Sequence, residues 1–163
     1  MSLVAILAAA GIAAAVDLRT GRIPNVITAT VALAGLAAAA VGVSEQSTAG
    51  ALTGAALGLL LMLPGHLFGG TGAGDVKLLA ALGTWLGPAG TVVAFICSAI
   101  AGGVLAIGHA IHRGRFAETL KRTARLLGAD GVAKREIDRS AAASRFAYGP
   151  AIAVGAVVAA LLR

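Results

Sequence analysis

Charged side chains are scarce in this sequence. Asp, Glu, Lys and Arg make up 12% of the 163 residues, whereas a typical soluble domain carries about 25%. So few charges cannot cover the surface of a globule of this size, which excludes an ordinary soluble domain. Disorder is excluded for the opposite reason, because 58% of the residues are hydrophobic and a disordered chain cannot leave that much apolar surface in water. An integral membrane protein is the class that remains.

Cysteine is almost absent, and the single Cys97 lies in an apolar run. One cysteine excludes a disulfide framework and a CxxC metal site. His109 and His112 are three residues apart, but no carboxylate or thiol at a suitable spacing joins them, so no metal and no cofactor is expected. Lys and Arg number 13 against 7 Asp and Glu. In a membrane protein this excess indicates cytoplasmic loops and contact with anionic lipids, not nucleic acid.

Six apolar runs predict an all-α integral membrane protein, a six-transmembrane-helix bundle. A spanning helix needs about 20 residues, and the runs cover residues 2–18, 26–43, 48–67, 76–87, 89–111 and 148–162. The fourth and fifth runs are interpreted as two helices because Gly87 ends a helix and Pro88 can begin the next. The first run lacks the basic residues that open a signal peptide, so it is expected to be the first span. Residues 1–163 are predicted to form a single membrane-embedded domain.

The cations set the predicted orientation. With six spans, the linkers 19–25, 68–77 and 112–147 share one side of the membrane and carry 12 of the 13 Lys and Arg residues. Cytoplasmic loops are enriched in these residues, so the three linkers are predicted to be cytoplasmic and both termini outside. The basic cytoplasmic loop 112–147, between helices 5 and 6, is interpreted either as a short amphipathic helix on the membrane surface or as a solvated loop.

Two carboxylates stand at the ends of apolar spans, where ionisable groups are costly and usually functional. Asp17 ends the first span and Asp75 opens the fourth. Because two crossings separate them, both are expected on the cytoplasmic side. Two adjacent carboxylates can share a proton, so that one activates water and the other polarises a scissile carbonyl, as in aspartic proteases. The structural alternatives are an interfacial residue for Asp17 and a first-turn helix acid for Asp75.

Gly72 and Gly74 leave room for an extended substrate backbone beside Asp75.

Three motifs resemble those of a known family, the type IV prepilin peptidases. Gly72-Ala73-Gly74-Asp75, followed by Val76-Lys77-Leu78, is similar to the GxGD signature of these intramembrane aspartyl peptidases. The family's first aspartate motif resembles Asp17-Leu18-Arg19-Thr20-Gly21-Arg22-Ile23-Pro24-Asn25. A third element resembles Tyr148-Gly149-Pro150-Ala151-Ile152.

The resemblance implies that Asp17 and Asp75 are the catalytic pair. It also implies that the other motif residues bind the substrate or shape the site: Gly72, Gly74, Lys77, Arg19, Arg22, Pro24, Asn25, Tyr148, Gly149 and Pro150. For Arg19, Arg22 and Lys77 the alternative is a role in membrane topology alone. The implied reaction is cleavage of the short leader of prepilin-like precursors, typically after a glycine, at the cytoplasmic face of a prokaryotic cell membrane.

One departure from the family separates this chain from its larger, bifunctional members. These carry a cytoplasmic domain, often with two CxxC pairs, and also methylate the trimmed pilin. Here Ile23-Pro24-Asn25 leads directly into the second apolar run, as in the short form associated with Flp/Tad-type pili, so methyltransferase activity is not expected. The alternatives are an archaeal-type preflagellin peptidase, a small ion- or proton-coupled transporter and a non-catalytic membrane scaffold.

Overall fold

The structure is a computed structural model that describes residues 2–67, 70–112 and 148–162, and these residues form five helices. They are α1 Ser2–Thr20, α2 Asn25–Ala40, α3 Thr48–Leu67, α4 Ala73–His112 and α5 Gly149–Leu161. The all-α prediction is confirmed for this part of the chain. The predicted basic loop lies outside the described residues apart from His112, which ends α4. Residues up to Gly102 form one compact unit with α5, and the end of α4 from Gly103 onward belongs to a second unit.

The helices are those of a membrane protein. Three are long and apolar enough to span a bilayer, namely Ser2–Thr20, Thr48–Leu67 and Ala73–Gly108, and the two shorter helices are apolar as well. Large apolar side chains point outward, including Leu18, Val26 and Leu67, each about 70% exposed. Water would penalise such a surface, whereas lipid does not.

The predicted interruption between the fourth and fifth apolar runs is confirmed at Gly87. Its φ of 65° and ψ of −178° are non-helical, so α4 consists of two helical segments joined there. The chain also reverses at this point. In a continuous helix Gly74 and Ser98 would lie about 36 Å apart, yet both are held near Asp17. Gly74 packs on Ile23, six residues after Asp17. Tyr148 donates a hydrogen bond to the Ser98 carbonyl and precedes Gly149, whose amide donates to Asp17.

Small residues let the helices approach closely. α1 packs along α5, and α2 packs against α3. On α3, Gly54 lies against the backbone of Gly83 and Gly87, and Gly58 lies against Ala80. Close backbone contact through glycine and alanine is typical of helix pairs in membranes. The core beside these contacts consists of buried aliphatic side chains, the largest being Ile6, Leu78, Leu79, Leu82, Leu86 and Ile152.

Several helix ends differ from the predicted runs. The second run was predicted to extend over 26–43, but α2 ends at Ala40, because Gly42 adopts a φ of 73° that terminates a helix. The fourth run was predicted to begin at 76, but α4 begins at Ala73, since the Gly72 carbonyl already accepts hydrogen bonds from the amides of Asp75 and Val76. Asp75 therefore lies in the first turn of α4.

Candidate active site

Asp17 is held by the first turn of another helix. It lies near the end of α1 with 5% of its surface exposed, and its Oδ2 accepts a 2.9 Å hydrogen bond from the Gly149 amide at the start of α5. A helix N-terminus favours negative charge through its free amides and its dipole. A Cβ at position 149 would lie 2.7 Å from Asp17 Oδ2. Glycine is therefore the residue that allows this contact.

Asp75 is held by the first turn of its own helix. It is 7% exposed, and its Oδ2 accepts a 3.0 Å hydrogen bond from the amide of Gly72. An acidic residue three positions after the N-cap that bonds back to the N-cap amide is one half of a capping box. Gly72 itself is exposed, so the carboxylate borders the surface on this side.

The two aspartates lie at the same end of the helices although α2 and α3 separate them in the chain. Ile23, six residues after Asp17, packs on Gly74, the neighbour of Asp75. Within residues 2–67, 70–112 and 148–162, neither carboxylate forms an ion pair with a cation, and each accepts its hydrogen bond from a backbone amide. Two neighbouring carboxylates without a compensating cation can hold one proton between them, which is the arrangement that activates water in aspartic proteases.

The Tyr148-Gly149-Pro150 motif places the start of α5 beside Asp17. The Tyr148 hydroxyl donates a 3.0 Å hydrogen bond to the carbonyl of Ser98, and its ring packs against Gly102, where a side chain would collide with it. Pro150 lies in the first turn of α5, a position where the missing amide hydrogen costs nothing. The ring, the helix start and the Gly149 amide thus form one connected support for Asp17.

The Ile23-Pro24-Asn25 motif connects the start of α2 to the first turn of α4. Ile23 is buried, and a Cβ at Gly74 would lie 3.1 Å from its Cβ, so glycine allows the linker to pack here. Asn25 Oδ1 accepts a 2.9 Å hydrogen bond from Lys77 Nζ. Pro24 is the N-cap of α2, with an extended ψ of 140°. The two motifs are therefore neighbours in space.

Arg19 and Arg22 are placed differently. Both are exposed, and their side chains form no hydrogen bond or ion pair with another residue in the described part of the chain. The structure does not bring them onto the carboxylates, so their predicted role in shaping the site stays a prediction.

Two further residues lie near the site, and the sequence gives no signal for the first, Ser98. Ser98 contributes only its backbone carbonyl to Tyr148, and any residue type could do so. His66 lies at the end of α3, and its Nδ1 lies 3.0 Å from the carbonyl of Thr71, just before the Gly72–Asp75 turn. Among the described residues, no three His, Cys, Asp or Glu side chains are grouped as a metal site requires.

A comparison with family models gives one match. The model of the type IV leader peptidase family matches residues 4–107, which is more than half of the chain and includes both Asp17 and Asp75. Neither the curated proteins nor the solved structures contain a match to this chain.

Proposed function

Because the chain belongs to the type IV leader peptidase family, we propose that it is an intramembrane aspartic endopeptidase that removes the leader of prepilin-like precursors. The observation that carries the proposal is the pair of buried carboxylates, Asp17 and Asp75, each held by a backbone amide at a helix start. The short form without an inserted cytoplasmic domain favours precursors of the Flp/Tad type as substrates.

In the proposed reaction the two aspartates divide acid and base roles. The ionised carboxylate takes a proton from water while the water oxygen bonds to the scissile carbonyl carbon. The protonated carboxyl donates its proton to the carbonyl oxygen, which gives a neutral tetrahedral diol. When the C–N bond breaks, the leaving nitrogen takes the proton held by the first aspartate, and a diol hydroxyl returns its proton to the second. The products are a carboxylic acid and an amine, and both aspartates return to their starting states.

The glycines beside Asp75 support access for an extended leader. Gly72 is exposed and adjoins the Asp75 carboxylate, so a substrate backbone can approach there without meeting a side chain. Gly74 instead packs on Ile23. We therefore assign Gly72 to substrate access and Gly74 to the packing of the site.

The proposed topology has six spans, both termini outside and the site at the cytoplasmic face of a prokaryotic cell membrane. The reversal at Gly87 supports six crossings, because it divides α4 into two segments that run in opposite directions. The exposed cations Arg19 and Arg22 follow Asp17 at the same end of the helices. Cations at this position favour a cytoplasmic location and contact with anionic headgroups.

The test is cleavage of a synthetic precursor by the protein reconstituted in liposomes. The precursor has a short basic leader, a glycine and an apolar helix of about 20 residues. Asp17→Asn and Asp75→Asn keep the size of the side chain but remove the acid–base function, so each is expected to lower kcat by about 10²- to 10⁴-fold. The control is Glu45→Gln, which neutralises an exposed carboxylate in the α2–α3 linker and is expected to retain cleavage. Continued leader removal by either aspartate variant, with helicity preserved by circular dichroism, would refute the two-aspartate mechanism.

A further inference from the structure

A groove of about 380 Å³ lies between α2, α3 and α4. The residues that line it recur at helical spacing within each helix: Ala29, Ala32 and Leu36 on α2, and Ala55 and Leu59 on α3. Residues three or four apart lie on one face of a helix. The groove therefore runs parallel to the helix axes, over about 16 Å between Asn25 and Leu36 at 1.5 Å per residue.

The walls of this groove are apolar and small. The two hydroxyl groups that line it donate hydrogen bonds within their own helices. The Thr28 hydroxyl donates to the Asn25 carbonyl at 3.1 Å, and the Thr84 hydroxyl donates to the Ala81 carbonyl at 2.7 Å. Most of the remaining lining residues are alanines. A floor of small residues without free hydroxyls lets another apolar helix approach closely.

One end of the groove is polar and lies next to the candidate active site. Asn25 and Lys77, which are hydrogen bonded to each other, line this end. Lys77 is in the same helical turn as Asp75, so the groove ends within about 5.4 Å, one helical pitch, of the Asp75 backbone along the axis. The two residues are two positions apart and so lie on different faces of α4, and a chain leaving the groove must pass around this first turn to reach the carboxylate. A lysine has three N–H donors, and one of them goes to Asn25. The others can bind carbonyl groups of an extended peptide.

From this arrangement we infer that the groove binds the apolar helix of the precursor and that the Asn25–Lys77 end receives the chain where the helix gives way to the leader. The inference rests on the proposed function, since it needs a substrate that has a membrane helix beside the scissile bond. The apolar walls match the helix, the polar end matches the unpaired carbonyls of the leader, and the groove ends at the level of Asp75 along α4. A lipid acyl chain is the competing occupant.

The experiment compares two substrates, the synthetic precursor described above and a peptide with the same leader junction but no apolar helix. Ala29→Leu places a larger side chain in the groove, and Ala37→Leu makes the same change at an exposed position of α2 that does not line it. We expect Ala29→Leu to lower kcat/KM for the precursor relative to the peptide by about tenfold, mainly through KM. Ala37→Leu is expected to keep the wild-type ratio.

A photo-crosslinking side chain at position 29, or at position 37 as the control, reports the occupant directly. In the Asp75→Asn background, position 29 is expected to crosslink to the helix of the precursor and position 37 is not. Crosslinking of position 29 to lipid alone would overturn the groove assignment. So would an Ala29→Leu variant with the wild-type ratio of kcat/KM for the precursor to kcat/KM for the peptide. Neither result would contradict the proposed peptidase function. Failure of the wild-type protein to cleave either substrate would instead overturn the proposed function and this inference with it.

Discussion

Replacing Gly149 by alanine is expected to impair the Asp17 carboxylate while the fold is retained. The added Cβ would lie 2.7 Å from Oδ2, 2.9 Å from Cβ and 3.1 Å from Cγ of Asp17. Because Asp17 is buried, its carboxylate must shift away, and the 2.9 Å hydrogen bond from position 149 lengthens or breaks. A hydrogen bond to a charged group contributes about 1.5–3 kcal/mol. If the bond positions Asp17 for catalysis, its loss lowers kcat by about 10- to 150-fold, at 1.36 kcal/mol for each factor of ten.

The matched control for this substitution is Gly11→Ala, on the same helix as Asp17. A Cβ at position 11 meets nothing within 4 Å, and alanine stabilises a helix interior by about 0.5–1 kcal/mol relative to glycine, so Gly11→Ala is expected to keep full activity. Cleavage of the precursor in liposomes gives kcat, and thermal unfolding in detergent reports the fold. Wild-type kcat in a folded Gly149→Ala variant would refute the claim that α5 positions Asp17.

Two further substitutions test the packing around the site. Gly54→Ala places a Cβ 2.9 Å from the Gly87 Cα and still closer to the Gly83 carbonyl oxygen. Because backbone atoms cannot move aside easily, the substitution is expected to destabilise the protein by about 1–3 kcal/mol. A Tm equal to that of the wild type would contradict the close contact. Tyr148→Phe removes the hydroxyl that donates to Ser98 and is expected to cost about 0.5–1.5 kcal/mol of stability with a modest fall in kcat. A loss of activity as deep as in the aspartate variants would instead assign the hydroxyl a role in the chemistry.

The elements that could be predicted from the sequence are those that local chemistry determines. Gly87 and Pro88 predicted the break in α4, because a left-handed glycine ends a helix and a proline can begin one. The end of α2 was predicted wrongly because Val41 and Val43 continue the apolar run beyond the helix. Hydropathy reports the preference of a side chain for lipid, whereas a helix ends where the backbone conformation changes, here at Gly42.

The contacts that assemble the candidate site could not be predicted from the sequence. The Gly149 amide and Asp17 are 132 positions apart, and nothing in either residue type identifies the other as its partner. The packing of Gly74 on Ile23 and of Gly102 on Tyr148 likewise depends on how the helices meet. Gly50, Gly54 and Gly58 on α3 are four residues apart, as in the GxxxG pattern of membrane helix pairs. The pattern alone does not identify the contacts, since Gly54 and Gly58 contact α4 whereas Gly50 lies against the side chains of Gln46 and Ser47.

The helices that reach the candidate site are short for a bilayer. α2 has 16 residues and α5 has 13, and α4 runs only from Ala73 to Leu86 before it turns at Gly87. At 1.5 Å per residue these elements rise about 20–24 Å, against a hydrocarbon thickness of about 30 Å. Such a hydrophobic mismatch is met by thinning of the surrounding bilayer or by headgroups and water that reach inward. Either response shortens the path of water to Asp17 and Asp75. The short helices therefore favour the supply of the water molecule that hydrolysis consumes.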